Sequence, residues 1–229
     1  MNALFPAEIF VNVLEKYNLA IWPMQVVAYI LGIAILFLIV KKTKHASRIS
    51  AAMLSFLWLW NGIVFFLLYF GPLFTPSYFF GALFIIQGFL FLGTVIKPRL
   101  SFGSERSGYS VVGILFIAYA MVGYPVLGPF LGRSYPFSAP FGLIPCPTNV
   151  FTFGLFLLSN KKIPKPLLII PLLWAIFGGF PAVFAGMLED MGLIVAGIFG
   201  TVIILYRNRK YQGEEILDSQ VAQITKSSF

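Results

Sequence analysis

Seven long apolar runs constrain this chain more than any other feature of its sequence. A helix that crosses a hydrocarbon core of roughly 30 Å needs about 20 apolar residues, and each run has or nearly has that length. Because a backbone in lipid must satisfy its own hydrogen bonds, the runs predict helices rather than the shorter, alternating strands of a barrel. The predicted spans are residues 21–40, 50–70, 77–96, 110–127, 137–159, 167–187 and 190–206.

The composition supports the same fold class. Hydrophobic residues make up 59% of the 229 residues and charged residues only 10%, whereas a soluble domain is about 25% charged. So few charges do not cover a water-exposed surface. We therefore expect an all-α, polytopic transmembrane bundle of about seven spans, and soluble fold classes are excluded.

The cations divide unequally between the two sides that seven spans define. Of the 16 Lys and Arg residues, all but Lys16 and Arg133 fall on the side of the C-terminus. Cytoplasmic loops of membrane proteins carry this excess. The bias predicts an outer N-terminus and a cytoplasmic C-terminus in a multi-pass protein of the inner membrane. It also explains the net charge of +8 without a nucleic-acid partner, so the lipid bilayer is the expected surrounding.

Two segments flank the predicted bundle of residues 20–207. Within residues 1–19, apolar side chains recur at helical spacing at Phe5, Ile9, Phe10, Val13 and Leu14. This pattern predicts a short amphipathic helix that lies in the membrane interface. Residues 208–229 are polar and rich in Gln, Ser and Glu, which predicts a mobile cytoplasmic tail.

The inventory of reactive side chains excludes several classes of site. Cys146 is the single cysteine and His45 the single histidine, so a multi-thiolate or multi-histidine metal site is excluded. A hydrolase needs a nucleophile with an adjacent base, and no histidine accompanies Cys146 at membrane depth. We predict no metal, no cofactor and no catalytic residue, and an intramembrane enzyme ranks last among the functions considered.

Two amides stand within apolar spans. Asn61 lies near the middle of the second span and Gln87 is central in the third. An amide without a partner in hydrocarbon is costly, so both side chains should face the bundle interior. They either form hydrogen bonds between helices or line a cavity that binds a solute.

The densest polar cluster lies in the fifth span. Pro145 and Pro147 flank Cys146, and Thr148, Asn149 and Thr152 follow. A proline within a helix removes a backbone donor and obstructs the carbonyl four residues earlier, and broken helices mark binding sites in transporters. The pattern indicates either a broken fifth helix with a binding site at Pro145–Pro147, or only a kinked helix, or a helix that begins at Pro147.

Polar residues also gather at the predicted outer face. Tyr17, Asn18 and Gln25 stand at the start of the first span, where an interfacial anchor is one interpretation and an outer-face site another. Glu189 and Asp190 precede the seventh span. They either complement the positive end of that helix or face a ligand.

Small residues in the seventh span predict a close helix contact. Gly192, Ala196 and Gly200 recur every four residues and form one ridge that another helix can approach. The partner is either a helix of the same chain or a second subunit.

Five short motifs together resemble a family. They are Tyr17-Asn18, Trp22-Pro23-x-Gln25, Trp60-Asn61-Gly62, Cys146-Pro147-Thr148 and Glu189-Asp190-x-Gly192. The chain resembles, over nearly its whole length, a family of uncharacterised bacterial multi-span proteins known as a domain of unknown function. The resemblance implies an inner-membrane location and a single domain, and it implies no reaction, substrate or site.

Two functions agree with these patterns. The first is a small-solute or ion transporter or channel, which the prolines of the fifth span and the amides Asn61 and Gln87 favour. It predicts that Asn61 and Cys146 share one polar pocket. The second is a non-catalytic membrane subunit or receptor-like scaffold. The ridge of small residues in the seventh span and the lack of charged residues at mid-membrane favour it.

Overall fold

A computed structural model describes residues 7–103 and 108–227, with side chains from Ile9 to Gln212. Phe5 and Glu8 of the predicted amphipathic helix thus lie outside the described side chains. Within the described residues the chain is helical, apart from loops and one isolated bridge between Phe102 and Ser159. The helices are α1 Ala7–Ala20, α2 Met24–Val40, α3 Ala46–Phe70, α4 Ser77–Ile96, α5 Gly108–Phe130, α6 Pro145–Leu157, α7 Pro166–Phe184 and α8 Met191–Ser227.

The all-helical, polytopic fold class is confirmed. Among the described residues, α3, α4, α5, α7 and the first part of α8 are each long and apolar enough to cross a membrane. Helix α2 brings the number to six when it is joined to α1 across an 86° bend. Its side chains Ile30, Ile33 and Phe37 are each 59% exposed, as expected of side chains that meet lipid.

Helix α1 differs from the expected interfacial helix in what its apolar face contacts. Phe10, Val13 and Leu14 are buried within the protein. The ring of Phe10 packs edge-on against those of Phe65 and Phe70 at the end of α3, at 6.0 and 5.7 Å between centroids. The apolar spacing identified the helix, but the surface that it covers is α3.

The fifth predicted span is the main correction. A helix was expected over residues 137–159, but α6 begins at Pro145 and has only 13 residues, about 20 Å in length. Residues 136–144, here called the inserted segment, approach it in a non-helical conformation. No helix is therefore broken at Pro145–Pro147, and the alternative of a helix that begins near these prolines is correct. Both prolines lie in the first turn, whose N–H groups have no acceptor within the helix in any case.

Helix α6 is the centre of the bundle. All 13 of its residues are buried, and it packs against α3, α5, α7 and α8. A helix surrounded by protein needs no polar face, and its run of Phe, Leu and Val side chains matches that position.

The C-terminal part of the chain also differs from expectation. Helix α8 continues to Ser227, where a mobile tail was predicted over residues 208–229. The segment contains one glycine, Gly213, no proline and many strong helix formers, so nothing in it ends the helix that begins in the bundle.

Contacts between loops define the two ends of the bundle. At one end, Phe102 N–H donates to Ser47 Oγ, and Asn208 bonds the backbone of Ile163. This end carries the lysine- and arginine-rich loops and is called the cation-rich end. At the other, cation-poor end, α1 meets the inserted segment through Asn18.

Two glycines allow α5 and α6 to cross closely. A Cβ added at Gly154 would lie 2.8 Å from the carbonyl oxygen of Gly113 and 2.6 Å from Ile117 Cγ1. The first of these atoms belongs to the backbone of α5, so the clash is relieved only if α5 and α6 move apart.

Replacement of Gly154 by alanine is predicted to destabilise the protein, although alanine favours helices. Overpacking of this kind costs about 1–3 kcal/mol, more than the roughly 1 kcal/mol that alanine contributes through propensity. The matched control is Gly93→Ala in α4, where an added Cβ meets nothing within 4 Å. Thermal unfolding of the purified protein should show a lower Tm for G154A and an unchanged or higher Tm for G93A. Equal values for both variants would contradict the close crossing.

The C-terminus of α6 depends on a buried cation. Arg207 of α8 is 1% exposed, and its guanidinium donates to Leu157 O at 2.9 Å and Phe156 O at 2.8 Å. A cation at this position satisfies terminal carbonyls and complements the negative end of the helix.

We predict that Arg207→Met lowers the free energy of unfolding by about 2–3 kcal/mol, because charged hydrogen bonds to two buried carbonyls are lost. Lys210→Met serves as the control, since Lys210 is an exposed cation on the same helix. Chemical denaturation in detergent measures both. A stability loss in R207M no larger than in K210M would show that Arg207 does not support α6.

Candidate functional site

The inserted segment brings backbone carbonyl groups into the interior, and side chains from distant helices bind them. Asn61 Nδ2 donates to Gly142 O at 2.9 Å, and Tyr17 Oη donates to Leu143 O at 2.7 Å. Thr148 Oγ1 donates to Ile144 O at 2.8 Å. Non-helical backbone is tolerated at membrane depth only where such partners exist.

The predicted outer-face residues Asn18 and Gln25 belong to the same arrangement. Asn18 Nδ2 donates to Ser138 O at 2.8 Å and to Pro136 O at 2.5 Å. Gln25 Nε2 donates to the backbone carbonyl of Asn18 at 2.8 Å. These side chains hold the turn between α1 and α2 against the start of the inserted segment.

Asn61 and two threonines of α6 form one cluster. Asn61 Nδ2 also reaches Leu57 O at 2.8 Å and Thr148 Oγ1 at 3.3 Å. One turn further on, Thr152 Oγ1 accepts the indole N–H of Trp58 at 3.0 Å. The α-helical part of α3 ends just before Asn61, and a π-helical stretch follows to Phe70. Such stretches often accompany functional positions.

Gln87 and Asn149 both reach α7. Gln87 Nε2 donates to Leu167 O at 3.1 Å, and Pro171 explains why that carbonyl is free: a proline supplies no N–H to the residue four positions earlier. Asn149 Nδ2 donates to Pro171 O at 2.8 Å. The amides thus connect α4, α6 and α7 across the buried face.

Cys146 lies on a different side of α6 from the side that contacts Asn61. Its thiol contacts the carboxyl of Asp190 and the indole of Trp174. Asn61 instead meets Thr148, two residues further along the helix. The six residues proposed for one ligand pocket therefore belong to three neighbouring groups, centred on Asn61, on α7 and on Asp190.

Asp190 is the most unusual side chain of the site. It is 3% exposed, and its Oδ1 accepts a hydrogen bond from Tyr124 Oη at 2.9 Å. Cys146 lies beside the same carboxyl group. The acid thus stands at the N-terminus of α6, where the positive end of the helix favours a negative charge.

Glu189 has a different environment, although it is adjacent in sequence. Its carboxylate forms an ion pair with Arg133, and Arg133 also donates to Gly186 O at 3.3 Å. The backbone carbonyl of Glu189 accepts from Tyr119 Oη at 2.7 Å. Arg133 thus fixes the loop before α8 to the loop after α5.

The depth of the site follows from α3. Ten residues, Asn61–Phe70, separate the Asn61 cluster from the cation-poor end of that helix, a distance of roughly 10–15 Å. Helix α6 begins beside this cluster, so Cys146 lies below the cation-poor end of α3, whereas Asp190 stands immediately before the first residue of α8. The position of Asp190 before the last helix is the one expected from the sequence, whereas the burial of its carboxyl against Tyr124 was not expected.

Several residues of the site were missed by sequence reasoning. They are Trp58, Tyr119, Tyr124, Arg133 and Trp174, and Arg207 at the other end of α6 was missed as well. A signal existed for two of them: Tyr119 and Tyr124 place phenols within an apolar span, and a buried phenol needs a partner. Arg207 gave no such signal, because its position at a helix end is typical of a solvated cation.

The small ridge of α8 contacts the same chain. Gly192 lies against the ring of Tyr119, and Gly200 against that of Phe153. Ala196, between them, is fully buried.

Three ionisable groups meet in the site. They are the carboxyl group of Asp190, the phenol of Tyr124 and the thiol of Cys146. Among the described residues, no three His, Cys, Asp or Glu side chains gather as ligands of a metal ion.

Comparison with known proteins identifies a family without a known activity. No similar protein was found among curated proteins, and none among solved structures. A family model described as a family of unknown function, DUF6064, matches residues 7–215 and so covers most of the chain. The chain belongs to this family of unknown function.

Proposed function

We propose that this chain is a membrane transport protein for a small solute or ion, and that Asp190 is the group that binds and releases a proton or cation during transport. The observation that carries the proposal is the burial of the Asp190 carboxyl between Tyr124 Oη and the Cys146 thiol. Ionisable side chains at membrane depth are costly and most often mark ion or substrate pathways.

The ion pair at Glu189 supports this role for Asp190. Arg133 binds the Glu189 carboxylate, so the cation nearest to the site does not bind Asp190. The partners of Asp190 are then the neutral hydroxyl and thiol, which tolerate either a protonated or an ionised acid. A group that is to change its charge state needs such surroundings.

The short helix α6 supports a binding site at its N-terminus. Discontinuous helices that begin inside a membrane bundle direct the positive end of the helix toward a bound group. In addition, three buried amide oxygens, those of Asn61, Gln87 and Asn149, have no hydrogen-bond partner among the described residues. They offer acceptors to a solute near the same helix.

The charge bias suggests which side has access. We place the cation-rich end in the cytoplasm of a bacterial cell and the Asp190 end outside, in the inner membrane. The solute would then reach Asp190 from outside, past the inserted segment and the Arg133–Glu189 ion pair.

A second candidate is a non-catalytic membrane subunit or scaffold. In its favour, the side-chain donors of Asn61, Gln87 and Thr148 all bind acceptors of the same chain. A partner helix would have to bind away from Gly192 and Gly200, which already face Tyr119 and Phe153.

The single cysteine tests the two candidates without knowledge of the solute. A transport protein must admit water to its site in some state, so Cys146 should react with a charged, membrane-impermeant methanethiosulfonate in sealed vesicles. The matched control carries Cys146→Ser and Thr152→Cys, because Thr152 lies deeper in α6 and packs against Trp58. We expect modification of the native protein and none of the control, measured by the mass of the intact chain. Protection of both cysteines until denaturation would favour the scaffold.

The role of Asp190 has its own test in proteoliposomes that contain a pH-sensitive dye. An imposed gradient of Na⁺ or K⁺ should change the internal pH with the native protein and should not with Asp190→Asn, since the amide binds no proton. Glu15→Gln, which removes a half-buried acid of α1, should behave as the native protein does. Equal proton movement in D190N and the native chain would exclude Asp190 as the coupling group.

A further inference from the structure

A second site lies at the opposite end of the bundle, between α7 and α8. There the two helices leave a groove of about 660 Å³. Lys162, Lys165 and Arg209 line one part of it, and Leu172 and Leu205 line another. Nothing in the site around Asp190 involves these residues.

The basic part and the apolar part of the groove lie at different levels along the bundle axis. Thr201, Leu205, Arg209 and Gln212 occupy one face of α8, because residues four and about seven or eight apart share a helix face. Arg209 therefore lies about 12 Å nearer the cation-rich end than Thr201 does. Lys162 and Lys165 stand just before α7, and Arg209 stands on α8 at the same level, whereas the apolar wall extends toward the middle of the bundle.

The basic part of the groove is held in place by α8. Asn208 Nδ2 donates to Ile163 O at 2.8 Å, and Asn208 Oδ1 accepts from Ile163 N at 3.1 Å. This pair of hydrogen bonds fixes the loop between Lys162 and Lys165 on the last helix. The cations thus belong to a positioned loop.

A buried hydroxyl lies within the apolar part. Thr201 is 7% exposed, lines the groove, and its Oγ1 has no hydrogen-bond partner among the described residues. That Oγ1 atom has almost no accessible surface, so a ligand in the groove packs against the side chain of Thr201 without a hydrogen bond to its hydroxyl.

We propose that this groove binds an anionic glycerophospholipid. Its phosphate would contact Lys162, Lys165 and Arg209, and one acyl chain would lie along Leu172 and Leu205. Charge complementarity supports this occupant, because Lys162, Lys165 and Arg209 bring three cations to one part of the groove. Basic pockets between membrane helices at the cytoplasmic side bind such head groups.

The test is native mass spectrometry of the full chain in detergent, titrated with phosphatidylglycerol and, separately, with zwitterionic phosphatidylethanolamine. We expect tighter binding of phosphatidylglycerol. The variant K162Q/K165Q/R209Q should weaken that binding by roughly tenfold to a hundredfold, since each basic residue near an anionic head group contributes about a fivefold factor. The control K41Q/K44Q/R48Q removes the same charge from exposed positions between α2 and the first turn of α3 and should change the affinity less than twofold.

A second variant tests the acyl-chain part without altering charge. Leu205→Trp fills the groove and should weaken phosphatidylglycerol binding, whereas Val202→Trp, on the exposed side of the same helix, should not. Equal loss in the two charge variants would show unspecific attraction and overturn the proposal. Unchanged affinity in both K162Q/K165Q/R209Q and L205W would also overturn it, as would equally tight binding of soluble glycerol 3-phosphate, which has no acyl chain.

Discussion

The structure depends on how polar backbone is accommodated inside an apolar bundle. The inserted segment enters the interior without helical hydrogen bonds, and each buried carbonyl left without a partner there would cost more than a typical packing contact contributes. Three side chains from three helices meet this requirement: Tyr17, Asn61 and Thr148. The sequence pattern of a ligand site thus belongs in part to residues that support a non-helical segment inside the bundle.

This support determines where α6 begins. Because the inserted segment spans part of the bundle depth, only 13 residues remain for the helix, and its N-terminus lies inside. Helix α8 runs beside it in the same direction and complements both ends. Asp190 precedes α8 and meets the positive end of α6, while Arg207 meets the negative end. Two ionisable residues, one just before α8 and one about halfway along it, thereby stabilise another helix that is too short to span.

The same arrangement separates two acids that are neighbours in sequence. Glu189 pairs with Arg133 near the end of the bundle, whereas Asp190 turns inward to Tyr124 and Cys146. An acid with neutral partners can exchange a proton without breaking an ion pair, so the structural role of Asp190 at the helix terminus and the proposed transport role are compatible. The groove at the opposite end would anchor α7 and α8 to the lipid surface while the Asp190 end changes state.

The sequence alone determined the helical membrane fold and most helix positions, because apolar length and the requirement for internal hydrogen bonding act locally along the chain. It also singled out Asn61, Cys146, Thr148 and Asp190, since polar side chains are few in such a chain. Only the tertiary structure decided what each one contacts. The partners of Asn61 and Tyr17 in the inserted segment lie 81 and 126 residues away, and no local pattern encodes such pairs. For the same reason the start of α6 was misplaced: an apolar run in a helix and an apolar run in a buried non-helical segment look alike until the side chains that bind the carbonyls of the latter are known.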